Sequence, residues 1–183
     1  MWFGAIDRMK VILDAKQIEA ALSDLTDSIA QQVSANVDIA VIGIRSRGEI
    51  LAKRLSQRLS DKLGKTVPYG TLDITLYRDD LNDPQSDAQP TVRSTVLPFD
   101  INEKIIILVD DVLYTGRSTR AAMDALVDFG RPKAIRLAVL VDRGRRELPI
   151  QADYIGCKVD IGPGQSVEVN LVDTDDKDQV IVK

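Results

Sequence analysis

The chain has one cysteine, Cys157. That excludes an internal disulfide framework and suggests a reduced, cytoplasmic setting. No stretch approaches the ~18 consecutive apolar residues that a membrane span requires, so no membrane partner is expected. Positive charge is not in excess either. Formal net charge is −4 and the pI about 4.9, which argues against nucleic acid as the main partner. Internal repeats and low-complexity segments are absent. So is a glycine-rich lysine loop. Gly64-Lys65-Thr66 has Leu59 where the first glycine of such a loop belongs, and it follows a helical pattern instead of preceding one.

The 183 residues, 44% hydrophobic and 28% charged, describe an ordinary globular chain of one domain. Helical periods and buried-strand runs alternate along it. Val11 to Asp14 reads as the opening of a helix, with Asp14 as N-cap and Ile18, Leu22, Leu25 and Ile29 along one face. Asp38 to Ile44 reads as a buried strand, and a helix follows that ends at Gly64. A strand is expected over Val67 to Leu76, and a long polar segment over 78–100 that holds Pro84, Pro90 and Pro98. A loop of that length in a compact domain is commonly functional. Ile105 to Val109 and Ala134 to Val141 are further buried strands, separated by a helix that reaches Phe129. The shorter strands, Asp153 to Val159, Ser166 to Val172 and Val180 to Val182, are expected to form a small antiparallel or mixed appendage. Such alternation predicts an α/β fold with a mainly parallel central sheet flanked by helices. Residues 1–8 fit none of these patterns, and Met9 looks like a natural start. They are expected to be a disordered or non-native extension of a single domain over 9–183.

The most informative stretch runs from Ile105 to Thr119. Ile106, Ile107, Leu108 and Val109 lead into Asp110 and Asp111, then Val112, Leu113 and Tyr114, then Thr115, Gly116, Arg117, Ser118 and Thr119. The acids are expected where a parallel strand ends, the place where open α/β sheets bind ligands. The Thr-Gly-Arg-Ser-Thr loop offers backbone N–H groups, hydroxyls and a helix N-terminus, which suit a phosphate. Ile44, Arg45, Ser46, Arg47 and Gly48 sit at a second strand-to-helix junction. Their arginines can grip a diphosphate in bidentate fashion, and Gly48 is expected to let the backbone approach a ligand. Tyr77, Arg78, Asp79 and Asp80 open the long polar segment. Val141, Asp142 and Arg143 leave the strand that ends at Val141.

The Ile105–Thr119 motif resembles the phosphoribosyl-pyrophosphate (PRPP) signature of type I phosphoribosyltransferases. Ile44–Gly48 resembles the family's pyrophosphate loop, which often holds a non-proline cis peptide. Across Asp73 to Leu81, Ile106 to Ser118 and Val139 to Gly156, the chain resembles the PyrR family, whose members are both uracil phosphoribosyltransferases and mRNA-binding regulators of pyrimidine genes. The resemblance covers roughly Val11 to Val172. It implies a type I phosphoribosyltransferase fold with a flexible loop near 78–100 and a base-receiving hood near 142–165. The reaction it implies is uracil plus PRPP giving UMP and diphosphate.

It also implies residue roles. Thr115 to Thr119 would cradle the 5′-phosphate, while Asp110 and Asp111 would take the ribose hydroxyls. Arg45, Ser46, Arg47 and Arg78 would hold pyrophosphate, with Arg78 as the lid's catalytic cation. Uracil would meet the hood near Val141, Asp142 and Arg143. Mg²⁺ would arrive on PRPP and stay indirect near Asp110 and Asp111. A homodimer or homotetramer is implied as well.

Binding to pyrimidine-gene leader mRNA would use Arg143, Arg145 and Arg146, with Arg131, Lys133 and Arg136 as further phosphate contacts. Family members that bind mRNA carry arginines along the first helix. Here those positions hold Glu19, Ala20 and Asp24, and Gln151 stands where a basic residue is expected. A transferase that has lost RNA binding is therefore an open alternative, as is a transferase for another base.

Overall fold

The computed structural model describes residues 9–33, 37–79 and 92–183. The expected extension at 1–8, together with Asp80 and the centre of the expected flexible loop, lies outside the described residues. Five strands form a parallel sheet in the order β3-β2-β4-β5-β6: β2 (Ile39–Ile44), β3 (Tyr69–Leu72), β4 (Ile105–Leu113), β5 (Ala134–Asp142) and β6 (Tyr154–Lys158). Helices α1 (Ala15–Gln32) and α2 (Arg47–Leu63) cover one face, and α3 (Arg117–Val127) covers the other. A second sheet is antiparallel, in the order β1-β8-β7, from β1 (Lys10–Leu13), β8 (Gln179–Val182) and β7 (Val167–Asn170).

Burial on both faces explains why the central strands do not alternate in sequence. Val41, Ile107 and Val109 pack toward α1 and α2. Their neighbours Ile42, Ile106 and Leu108 pack toward Ala122, Ala125 and Leu126 of α3. Fully burying a side chain of this kind contributes roughly 1.5–3 kcal/mol, so the β2–β4 pair is the packed centre of the sheet. Asp14 caps α1 as expected, in a reciprocal box. Its carboxylate accepts from Gln17 N–H at 2.9 Å, and the Gln17 amide oxygen accepts from Asp14 N–H at 2.9 Å.

Four expectations about the elements need correction. Lys10–Leu13 is a strand, not the start of a helix, because it pairs with β8 from the far end of the chain. The Val67–Leu76 strand stops at Leu72 and gives way to a 3-10 turn at Thr75–Tyr77. β6 is no part of an appendage; it extends the parallel sheet beside β5. Finally, β4 does not end at Val109. It pairs with β5 as far as Leu113↔Asp142, so both acids lie inside the strand. The polar segment returns to the sheet as well: Thr71 and Val96 exchange backbone hydrogen bonds of 2.9 and 2.8 Å, and Leu97 and Phe99 pack on the core. Among the described residues no helix is long and apolar enough to cross a membrane.

Candidate active site

β2 and β4 are neighbours with Gly43 opposite Val109, and strand order reverses between them. Loops from such a pair diverge and leave a crevice at their carboxyl ends. A cavity of about 360 Å³ opens there. Its wall contains Arg45, Ser46 and Arg47 from the β2 loop, Asp110, Asp111 and Val112 from β4, and Ser118 from α3. Asp73, Ile74, Thr75, Arg78 and Arg93 complete it.

Gly48 sets how closely the two loops meet. A Cβ there would lie 2.6 Å from the Val109 carbonyl oxygen and 3.3 Å from Asp110 Cα. The close approach that needs glycine is to the β4 backbone. It brings the N-terminus of α2 against the acids. The Arg45–Ser46 peptide is cis, the form the resemblance implied for this loop.

Asp110 is buried and its carboxylate accepts from Asp111 N–H at 2.9 Å. Desolvation, and next the Asp111 charge, push its pKa well above the usual carboxylate range. Asp111 is half-buried and accepts from Val112 N–H at 2.8 Å. On the Thr115–Thr119 loop, Gly116 holds φ 93 at the N-cap, and no side chain caps α3. A helix start left uncapped in this way is suited to an anion. Ser118 is exposed, Thr119 is buried at 3%, and Thr115 Oγ1 accepts from Arg117 N–H at 3.3 Å. The Arg117 side chain turns outward, to Asp79 at 2.6 Å and Glu147 at 2.8 Å.

Both β2-loop arginines already have acidic partners. Arg45 meets Glu49 at 2.9 Å and donates to Thr71 Oγ1 at 3.0 Å and to the Ser94 carbonyl at 3.1 Å. Arg47 reaches Asp175 at 3.2 Å. Asp73 joins the two sides of the polar segment, since it accepts from Thr75 N–H at 2.9 Å and from the N–H of Arg93. Burial alone would raise its pKa, but the Thr75 hydroxyl, which donates to the same carboxylate at 2.5 Å, outweighs it together with these N–H bonds and holds the carboxyl below the ordinary range.

Val141 is buried, and neither it nor Asp142 or Arg143 is in the wall of the cavity. Asp142 accepts from Gly144 N–H at 2.9 Å and from Arg146 at 2.7 Å. Arg143 stacks 3.7 Å over the Tyr114 ring and donates to the Gln165 carbonyl at 3.2 Å. Arg146 also donates to the carbonyls of Ile150 and Tyr114, each at 3.0 Å. Arg145 is exposed.

The sequence reading missed Arg93 and Asp175 and gave Asp73 no role. The usable signal was the acidic turn 173–178, read against Arg47 and Arg54. These arginines are seven residues apart and share a helix face.

A magnesium ion carried by PRPP fits these residues. Among the described residues no group of three or more His, Cys, Asp or Glu side chains could hold a metal. The cavity offers two strand carboxylates, one of them buried. An ion there would take most of its ligands from phosphate, ribose and water.

The phosphoribosyl transferase domain family matches residues 9–179. A protein of Alkaliphilus metalliredigens named Bifunctional protein PyrR is 51% identical, covering 94% of this chain and 93% of its own. The Listeria welshimeri protein of that name is 47% identical over 97% of each chain. Among solved structures, a hypoxanthine-guanine phosphoribosyltransferase of Bacillus anthracis gives a TM-score of 0.67 at 18% identity, covering 96% of this chain and 98% of its own. The Trypanosoma cruzi hypoxanthine phosphoribosyltransferase gives 0.67 at 18%, covering 94% and 95%. These likenesses carry the fold, which is that of the type I phosphoribosyltransferases. By sequence the chain belongs to the phosphoribosyltransferase family and, within it, to the bifunctional PyrR proteins.

Proposed function

We propose that this protein transfers phosphoribose from PRPP to uracil, giving UMP and diphosphate, and that it regulates pyrimidine genes through their leader mRNA in response to UMP. The observation that carries the enzymatic half is one polar cavity where the acids of β4, the arginines of the β2 loop and Ser118 meet.

The chemistry asks the protein to orient, shield and balance charge, with no covalent intermediate. As the C1–O bond weakens, C1 becomes cation-like and uracil N1 attacks from the opposite face. Asp111, half-buried near the carboxyl end of β4, accepts from the ribose hydroxyls and faces the developing positive charge. Asp110, buried beneath it, fixes the Asp111 backbone through the 2.9 Å bond. First-turn N–H groups of α3 and the Ser118 hydroxyl hold the 5′-phosphate. Arg45, Arg47 and Arg78 stabilise the departing diphosphate, the kind of preorganised contact whose loss costs roughly 3–4 kcal/mol of barrier. Phosphoribosyltransferases generally use Mg²⁺ with PRPP. Bound here, near Asp110 and Asp111 through water, it would offset charge on the diphosphate. Uracil is received by backbone near Val141 to Arg143, and the Tyr77–Asp79 segment closes over the sugar.

Steady-state assays with uracil, hypoxanthine and guanine test this reading. Turnover with uracil alone supports it, and turnover only with a purine ends it.

A second reading, transferase without RNA binding, is favoured by the acids of α1. Glu19 pairs with Arg58, and Asp27 pairs with Lys62 at 2.6 Å. Acids on that face weaken any phosphate-binding surface. Filter binding of the host's pyrimidine leader RNA, with and without UMP, separates the two. UMP-dependent retention at physiological salt supports regulation, and no retention leaves the transferase alone.

A further inference from the structure

The turn after β7 is the most charged feature the mechanism leaves unused. Its residues Asp173, Asp175 and Asp178 face the Arg47–Arg54 side of α2. The two arginines are held very differently.

Arg54 is locked. It donates to both Asp178 oxygens, at 2.6 and 3.0 Å, and also to Asp173. Its side chain is 18% exposed and that of Asp178 12%. Arg47 reaches Asp175 through one nitrogen, at 3.2 and 3.5 Å, which is long for a charge-assisted bond. Its side chain is 32% exposed and lines the cavity. Its Nε is enclosed, with no hydrogen-bond partner among the described residues.

Asp175 does not depend on Arg47. Its Oδ2 accepts from Leu171 N–H at 2.9 Å and from Thr174 Oγ1 at 3.1 Å. The Leu171 bond is the main reason its pKa lies below the ordinary carboxylate range. The carboxylate therefore stays fixed and charged if the arginine turns away. Asp175 is not in the wall of the cavity, so a ligand need not displace it.

We propose that Asp175 is an internal counter-anion, which Arg47 exchanges for the diphosphate end of PRPP. This rests on the reading of Ile44–Gly48 as the pyrophosphate loop. Before substrate binds, the acid holds Arg47 in place. Afterwards it competes with diphosphate for the same guanidinium and lowers the affinity of that product. Asp175 is thus a positioning residue that favours product release, with Arg54 as the fixed hinge of the contact.

The test is product inhibition by inorganic diphosphate, measured on the full chain with Asp175→Asn. A partly exposed ion pair sets the scale. Ki for diphosphate is expected to fall about two- to fivefold, with KM for PRPP lowered and KM for uracil unchanged. A Ki that is unchanged or raised overturns the proposal. Asp175→Ser keeps an oxygen for Leu171 N–H and should show the same fall, so a folding defect in one variant does not decide the matter. Asp178→Asn loosens the turn through Arg54. It should lower the melting temperature without lowering Ki, and an equal fall in Ki would overturn the exchange. Arg47→Gln probes the underlying reading. If it leaves Ki for diphosphate and KM for PRPP unchanged, the pyrophosphate-loop assignment fails. If it raises them while Asp175→Asn changes nothing, only the exchange fails.

Discussion

The loops after β4 and β2 both join a buried strand to a helix at one end of one sheet, yet they present different groups there. The β4 loop presents backbone. Gly116 in the left-handed region starts α3 without a side-chain cap, and the one arginine of the loop turns outward to Asp79 and Glu147. The β2 loop presents charge, and both of its arginines have acidic partners. Backbone N–H groups need no counter-ion before a ligand arrives. Guanidinium groups at the edge of a core do, because an unpaired charge away from water is expensive. The lesson is that a loop built on backbone N–H groups can stay unpaired at the edge of a core, while a loop built on arginines must hold acids of its own.

Four experiments would break or sharpen that contrast. The largest effect is expected for Asp111→Asn between the loops. It should reduce uracil transfer about a hundredfold or more while circular dichroism and melting stay near wild type; near-normal turnover would remove the acid from its role. Next, Gly48→Ala drives a Cβ to 2.6 Å from the Val109 carbonyl and should destabilise by about 1–3 kcal/mol in urea titration. No loss of stability would mean that the loops are not wedged together as described.

Arg54→Met comes third, with a cost of about 1–2 kcal/mol near neutral pH. The Arg54 hydrogen bond, ahead of the opposing effect of burial, holds Asp178 below the ordinary carboxylate range. A depressed folded-state pKa adds stability above the unfolded value and loses it as pH falls through the folded one. The gap between wild type and Arg54→Met should therefore narrow as pH drops below about 4. A gap that stays constant in acid would rule out the pair as its source. The smallest effect belongs to Arg117→Gln, whose side chain is 49% exposed. Stability should change by less than about 1 kcal/mol, and a larger change in thermal melting would show the outward pairs to be structural.

The strand-to-helix junctions were legible because several signals coincide there. An unbroken apolar run, then acids or glycine, then a helical period leaves few alternatives to a parallel strand feeding a helix. The loops themselves were less so. Gly48 looked like a residue for a ligand, and only the Gly43↔Val109 register reveals that it meets β4. β1 was not legible: four residues, two of them exposed, take their form from β8. Arg93 was hidden inside a polar segment whose return to β3 is made by contacts at Arg93, Ser94 and Val96 with distant residues. Of the basic residues expected near RNA, Arg143 and Arg146 turn out to brace the 143–150 loop against Tyr114, Asp142 and Ile150. Composition carries no trace of such contacts.

From the amino-acid order alone came the class of the fold, the two anion-suited loops and the acids between them. Local patterns of burial and turn chemistry are written into neighbouring residues. Tertiary structure alone decided which acids face which arginines, how deep Asp110 lies, and that the last strands divide between two sheets. Those outcomes depend on residues brought together from distant parts of the chain, and a pairing energy exists only once packing has removed water from between them.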